Sequence, residues 1–222
     1  MVTEDTLTKI RQFREGKINF FKGLITAFYV AGLVGMLIPE LRPLFQWLTP
    51  FHLLSNMAIL LLFHNEWSKK FIAFMLFAFI VGFGSEVMGV HTGFPFGNYK
   101  YGPVLGIQLC EVPLMIGVNW LLLVYVTGTV AARISSKAII AAIIGAALMV
   151  FVDLFIEPVA GTLDFWTWEN NVIPTSNFLG WFGVAFIIHL VYQRLTRLQD
   201  NPVALHLLLN LTLFFLILNF TI

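Results

Sequence analysis

Long apolar stretches separated by short polar connections dominate this chain. They fall at about 20–38, 47–63, 70–90, 110–132, 137–156, 178–194 and 202–220, the second short and interrupted by Pro50 and His52. A helix needs about 20 mostly apolar residues to cross the hydrocarbon of a bilayer. The pattern therefore predicts an all-α fold, a polytopic membrane helical bundle of about seven transmembrane helices. Two connections are long, roughly 91–109 and 157–177, and connections of that length with structure-breaking residues tend to carry function. Pro158 biases Glu157 away from helical geometry, so the fifth helix is expected to end there.

The basic residues test the helix count, because Lys and Arg concentrate on cytoplasmic connections. Lys9, Arg11, Arg14, Lys17 and Lys22 precede or open the first span. Lys69 and Lys70 lie between spans two and three, Arg133 and Lys137 between four and five, Arg194 and Arg197 between six and seven. Eleven of the 13 basic residues thus fall on one side, leaving Arg42 and Lys100 for the other. An extra or missing helix would scramble this alternation. It predicts a cytoplasmic N-terminal segment, 1–19, with both long connections on the outer side of the cytoplasmic (inner) membrane. That polar start is too long and too acidic for the opening of a cleaved signal peptide, so the first helix is expected to be retained. A single transmembrane domain, 1–222, is the expected organisation.

Composition narrows the function classes. The 222 residues are 59% hydrophobic and 11% charged, with mean hydropathy +0.86 and 23 Phe. No separate soluble domain fits, and we find neither internal repeats nor low-complexity segments. A net charge of +1 without a basic block gives no footprint for nucleic acid. The one cysteine, Cys110, excludes an intrachain disulfide or a cysteine metal cluster. No lysine lies mid-span, which excludes a retinal Schiff base. The five histidines, at 52, 64, 91, 189 and 206, include no pair four apart that could share a metal on one helix. Phosphate-binding glycine loops and serine-nucleophile elbows are absent too. No metal and no cofactor are expected, and the oligomeric state is open.

Acids in such a chain are the candidate chemistry, since a charge near the bilayer centre costs about 2.5–3.5 kcal/mol on insertion scales. Asp153 follows a clean apolar helix and lies four residues before Glu157, a spacing that puts both on one face. Glu86 follows Gly82-Phe83-Gly84, where small residues allow close helix approach. Each has a plainer reading as a structural acid bonded to a neighbouring helix. Glu111, at the outer start of the fourth helix, has a stronger one as a solvated interfacial residue. Asn119 lies eight residues on, on nearly the same face. His91 reads equally as a loop residue, and His189 and Asn210 as bonds between helices. In the first outer connection Tyr99-Lys100-Tyr101 puts both tyrosines on one face of an extended segment; Phe96 precedes them. The second carries Trp166 and Trp168. The alternative for these aromatics is an interfacial belt.

Together, Glu86-x-x-Gly89-x-x-Thr92-Gly93-x-x-Phe96-Gly97-x-Tyr99-x-Tyr101, Val112-Pro113 and Asn119-Trp120 resemble the integral-membrane carotenoid 1,2-hydratases, a family that includes the bisanhydrobacterioruberin hydratases. Asp153, Glu157-Pro158 and the tryptophan-rich connection ending Ser176-Asn177-Phe178-Leu179-Gly180-Trp181 are similar to its second signature. The resemblance covers about residues 80–185; helices one, two and seven add little to it. It implies addition of water across the terminal C1=C2 bond of an acyclic or monocyclic carotenoid with a lycopene-like end, giving a tertiary alcohol without a cofactor. Asp153 and Glu86 are then expected as acid and water-orienting base, in either order, with Glu157 in reserve. Phe96, Tyr99, Tyr101, Glu111, Asn119, Trp120, Trp166, Trp168 and Asn177 are the expected substrate contacts. Two other classes stay open. A proton-coupled transporter would keep acids in its spans but break helices near mid-membrane. A non-catalytic carotenoid-binding protein would need the aromatics but no buried acid pair.

Overall fold

The computed structural model describes residues 4–196 and 200–222. Seven helices, each long and apolar enough to cross a membrane, make up most of these residues. They are α1 (Glu4–Leu37), α2 (Arg42–Leu62), α3 (Lys69–Thr92), α4 (Leu114–Ile134), α5 (Ala138–Ala160), α6 (Thr175–Leu195) and α7 (Ala204–Thr221). Helix α4 is the most buried, and α5 packs on α4, α6 and α7. Small residues permit this closeness: a Cβ on Gly145 would stand 2.3 Å from the His189 ring. Helices α1 and α2 lie at the periphery, with α7 between α1 and the α4–α5 pair.

The connections sort to two ends. At one, Arg14 donates to the carbonyls of Leu62 (3.2 Å) and His64 (2.8 Å), Asn65 to that of Asp200 (3.1 Å), and Arg133 pairs with Asp200. Under these surface bonds lies a buried neutral network. His64 shares a 2.7 Å hydrogen bond with the Tyr125 hydroxyl, which also accepts from Asn201 at 3.1 Å, and Asn201 donates to the Leu60 carbonyl at 2.8 Å. Burial is the main cause pushing the His64 imidazole below its ordinary pKa, with Arg14 adding to it and Glu66 opposing. Deeper in the bundle, Thr129 bonds Tyr192 (2.8 Å) and Thr127 bonds His189 (2.9 Å), joining α4 to α6. His189 is thus the expected bond between helices. Asn210 is not, since its amide donates back to the His206 carbonyl of its own helix.

At the other end the two long connections fold against each other. Strand β1 (Tyr99–Tyr101) of the first pairs antiparallel with β4 (Trp166–Trp168) of the second, in the register Tyr99–Trp168, Lys100–Thr167, Tyr101–Trp166. Alternation along a strand puts Tyr99, Tyr101, Trp166 and Trp168 on one face of this ribbon. Lys100 points the other way, exposed. Between β1 and α4 a small hairpin, β2 (Gln108–Leu109) with β3 (Val112–Pro113), turns through Cys110 and Glu111. Both turn residues have positive φ, 51° and 64°, as a two-residue hairpin turn matching the strand twist requires.

Two expectations are corrected here. Helix α4 begins at Leu114 rather than near 110, because residues 110–113 belong to the hairpin. Helix α5 does not stop at Glu157 but runs through Pro158 to Ala160. A proline this near a helix end removes one backbone bond, while Glu157 is fixed by three side-chain bonds described below.

Candidate active site

The ribbon is a lid over the ends of α3, α4, α5 and α6, and under it lie three buried carboxyl groups. Glu86, on α3, is 2% exposed. Its Oε2 accepts from the hydroxyls of Tyr99 and, at 2.7 Å, Tyr101, and its Oε1 from the Trp120 indole at 3.0 Å. Local sequence makes room for this: Gly82 and Gly89, one turn to either side, face Trp120 and the Phe96–Tyr99 pair, where a Cβ would clash. Gly93 then ends α3 in the left-handed conformation (φ 73°) and sends the chain back over it. Burial, and next the Glu86 carboxylate, push both phenols above their ordinary pKa. They therefore stay protonated donors throughout the working pH range.

Glu157 is held in the same manner from the opposite side. Its Oε2 accepts from the indoles of Trp168 (2.6 Å) and Trp166 (3.1 Å), and its Oε1 from the Asn177 amide (2.8 Å). Asp153, one turn earlier on α5, is fully buried; its Oδ2 accepts from the same amide at 3.1 Å. Among the described residues its Oδ1 makes no hydrogen bond, alone among the carboxyl oxygens of the cluster.

Between the two glutamates is a cavity of about 20 Å³, lined by Glu86, Tyr99, Tyr101, Ile116, Asn119, Trp120, Glu157, Trp166, Trp168, Asn177 and Trp181. That is room for one water molecule, in a wall rich in polar atoms. Ile116, Asn119 and Trp166 also line a second cavity of about 260 Å³. This chamber is mostly apolar, walled by Phe28, Met36, Phe45, Phe51, Ile156, Leu211, Phe214 and Phe215, with His52 and Tyr29 among its few polar groups. Phe51 and Leu105 connect it in turn to a third, apolar hollow of about 550 Å³ between α2 and the 103–107 turn. The three are neighbours through these shared wall residues, in a row from the side of the bundle toward the carboxyls.

Most of the expected residues therefore meet. Phe96 is buried against Gly89 and Gly180 and packs near Trp120. Glu157, held in reserve on sequence grounds, lines the small cavity, whereas Asp153 sits behind Asn177 and lines neither cavity. Glu111 is the misplaced residue. At the exposed hairpin tip its ion-pair partner among the described residues is His91, at 3.9 Å, and its face relation to Asn119 is lost because it is not in α4. Sequence reasoning missed Trp181, which stacks on Trp120 with ring centroids 4.6 Å apart. Its signal was the four-residue spacing from Asn177 on one helix face. It also missed that α1, α2 and α7 wall the chamber; runs that are apolar all round give no cue to which face a cavity will use. Among the described residues no group of three or more His, Cys, Asp or Glu is arranged to hold a metal ion.

A seven-helix bundle with carboxyl groups buried under an aromatic lid, beside an apolar chamber, is a multi-pass membrane protein with a site shaped for an apolar molecule. The family described as carotenoid biosynthesis protein matches residues 48–222, and the chain belongs to it. It is also 28% identical over 153 residues to the bisanhydrobacterioruberin hydratase of Haloarcula japonica, a match covering 60% of this chain and 51% of that protein. The chain thus spans about half the length of this curated relative. No solved structure matches.

Proposed function

We propose that this protein adds water to the terminal C1=C2 bond of an open-chain carotenoid end group, forming a tertiary alcohol at C1. The observation that carries this reading is the junction of an apolar chamber with a one-water cavity between two carboxyl groups. Hydration of an unactivated alkene needs those parts: a dry slot for hydrocarbon, an acid, a water and a base. The relative's name, a hydratase acting on a carotenoid, points to the same chemistry.

In this mechanism Glu157, protonated, gives its proton to C2, and a tertiary cation forms at C1. The faces of Trp166, Tyr101 and Trp120 around the cavity stabilise it through their ring quadrupoles, at about 0.5–2 kcal/mol per well-placed ring. The cavity water then attacks C1 and loses a proton to Glu86, whose Oε1 keeps a free lone pair beside its single bond from Trp120. One proton goes to carbon and one returns to carboxylate, so exchange through the next water resets the pair. Asp153, with an oxygen free to hold a proton one helical turn from Glu157, serves as the reserve. A carotenoid dissolved in the bilayer reaches the chamber sideways, through the hollow beside α2.

Purified protein in lipid, given lycopene under strict anaerobiosis with chelator in heavy-oxygen water, is expected to form the C1 alcohol carrying the label. Product that requires O₂ and an electron donor would replace hydration by oxygenation. Binding without any product would favour a non-catalytic carotenoid-binding role.

The basic-residue pattern supports an orientation with the lid on the outer side of the cytoplasmic membrane and the N-terminus in the cytoplasm. Single cysteines at Asn98 and Asn170, in a Cys110-free background, should react with an impermeant thiol reagent added outside. Labelling only after the membrane is opened would reverse the orientation.

A further inference from the structure

Asn119 is the one amide at the junction of the two cavities. It lies in the first half of α4 and lines both the one-water cavity and the apolar chamber. Among the described residues it makes no hydrogen bond, whereas the other polar groups of the small cavity, Glu86, Tyr99, Tyr101, Trp120, Glu157, Trp166, Trp168 and Asn177, are all bonded within the cluster. A half-buried amide with no protein partner keeps its full hydrogen-bonding capacity for a ligand or a water. The space beside it is water-sized.

We propose that Asn119 is the positioning residue for the attacking water, and that it decides whether the cation becomes an alcohol or reverts to alkene. This rests on the hydration reading above. A water that donates one hydrogen to the Asn119 carbonyl oxygen and the other to Glu86 Oε1 has both hydrogens engaged, and turns a lone pair toward the chamber where C1 arrives. Without the amide the water is free to turn its hydrogens toward the cation or to leave. The cation then has a second exit. It loses a proton from C2, or from a geminal methyl group, to the nearest carboxylate and returns to an alkene. Both exits balance: the first adds H and OH across the double bond, and the second exchanges one hydrogen or shifts the double bond. The other residues shared by the two cavities are Ile116, which is hydrocarbon, and Trp166, whose indole is bonded to Glu157, so among the described residues Asn119 is the unbonded polar side chain at the junction.

The test reads the branching, not the rate alone. In deuterium oxide the proton added to C2 is a deuteron, so alkene recovered from an aborted turnover carries deuterium and alcohol marks a completed one. For the wild type the ratio of newly deuterated alkene to alcohol is expected to be low. Asn119→Leu and Asn119→Ala, checked for folding by thermal unfolding in detergent, are expected to raise that ratio at least tenfold, while total deuteron addition falls far less than alcohol formation. Removing an unbonded amide should leave the unfolding temperature unchanged or higher, so both variants should be measurable. If the ratio stays at the wild-type value while both products fall together, Asn119 is only structural and the proposal is overturned. If the wild type yields neither alcohol nor deuterated alkene, the hydration reading itself fails and takes this proposal with it, an outcome distinct from the first.

Discussion

The two ends of the bundle bury polar networks of similar size but opposite character. At the end gathering the short connections, His64, Tyr125 and Asn201 are neutral, mutually bonded and buried. At the end under the lid, two carboxyl groups line a water-sized space with a third one helical turn behind, one oxygen of that third group has no partner among the described residues, and an amide faces the space unbonded. A satisfied network in low dielectric fixes structure. A network left one bond short keeps its capacity for a substrate or a proton. Burial alone does not separate the two, since Tyr125 and Asp153 are both fully covered.

That contrast can be broken by substitution, beginning with the cavity carboxyls. Glu86→Gln and Glu157→Gln keep shape and most acceptor geometry but remove proton transfer, and each is expected to lower turnover by about 10²–10⁴-fold. Wild-type-like hydration by either folded variant would remove that residue from the mechanism. Asp153→Asn, one step behind the cavity, should cost about 10²-fold, the low end of such effects. An unaffected rate would make Asp153 structural.

The opposite end should respond in stability and not in turnover. Tyr125→Phe leaves His64 and Asn201 each one partner short, a loss of about 1–3 kcal/mol, with activity per folded molecule unchanged. A pH series sharpens this. The folded-state pKa of His64 lies below its unfolded value, so the unfolded chain binds the extra proton and stability falls as pH drops below about 6.5. Unfolding temperature should therefore decline from pH 7 to 5, and His64→Gln should flatten the decline. A slope unchanged by His64→Gln would assign it to other groups.

The amino-acid sequence determined by itself what is local and additive. Seven hydrophobic runs fix seven spans, because the cost of placing polar residues in hydrocarbon accumulates residue by residue along each helix. The rarity of acids in those runs singled out Glu86, Asp153 and Glu157, and the Tyr-x-Tyr and Trp-x-Trp spacings showed that each aromatic pair shares a face. Only the tertiary structure decided which carboxyl meets which donors. Glu86 bonds Trp120 across 34 positions, and Asn177 reaches Asp153 across 24; such partners depend on how helices rotate and how β1 registers with β4. It also removed Glu111, because positive φ at Cys110 and Glu111 makes a hairpin turn where apolar neighbours suggest a helix. Helices α1, α2 and α7 became the walls of the chamber for the same reason. A cavity belongs to the space between faces, and an evenly apolar helix does not record in its own sequence which face it will lend.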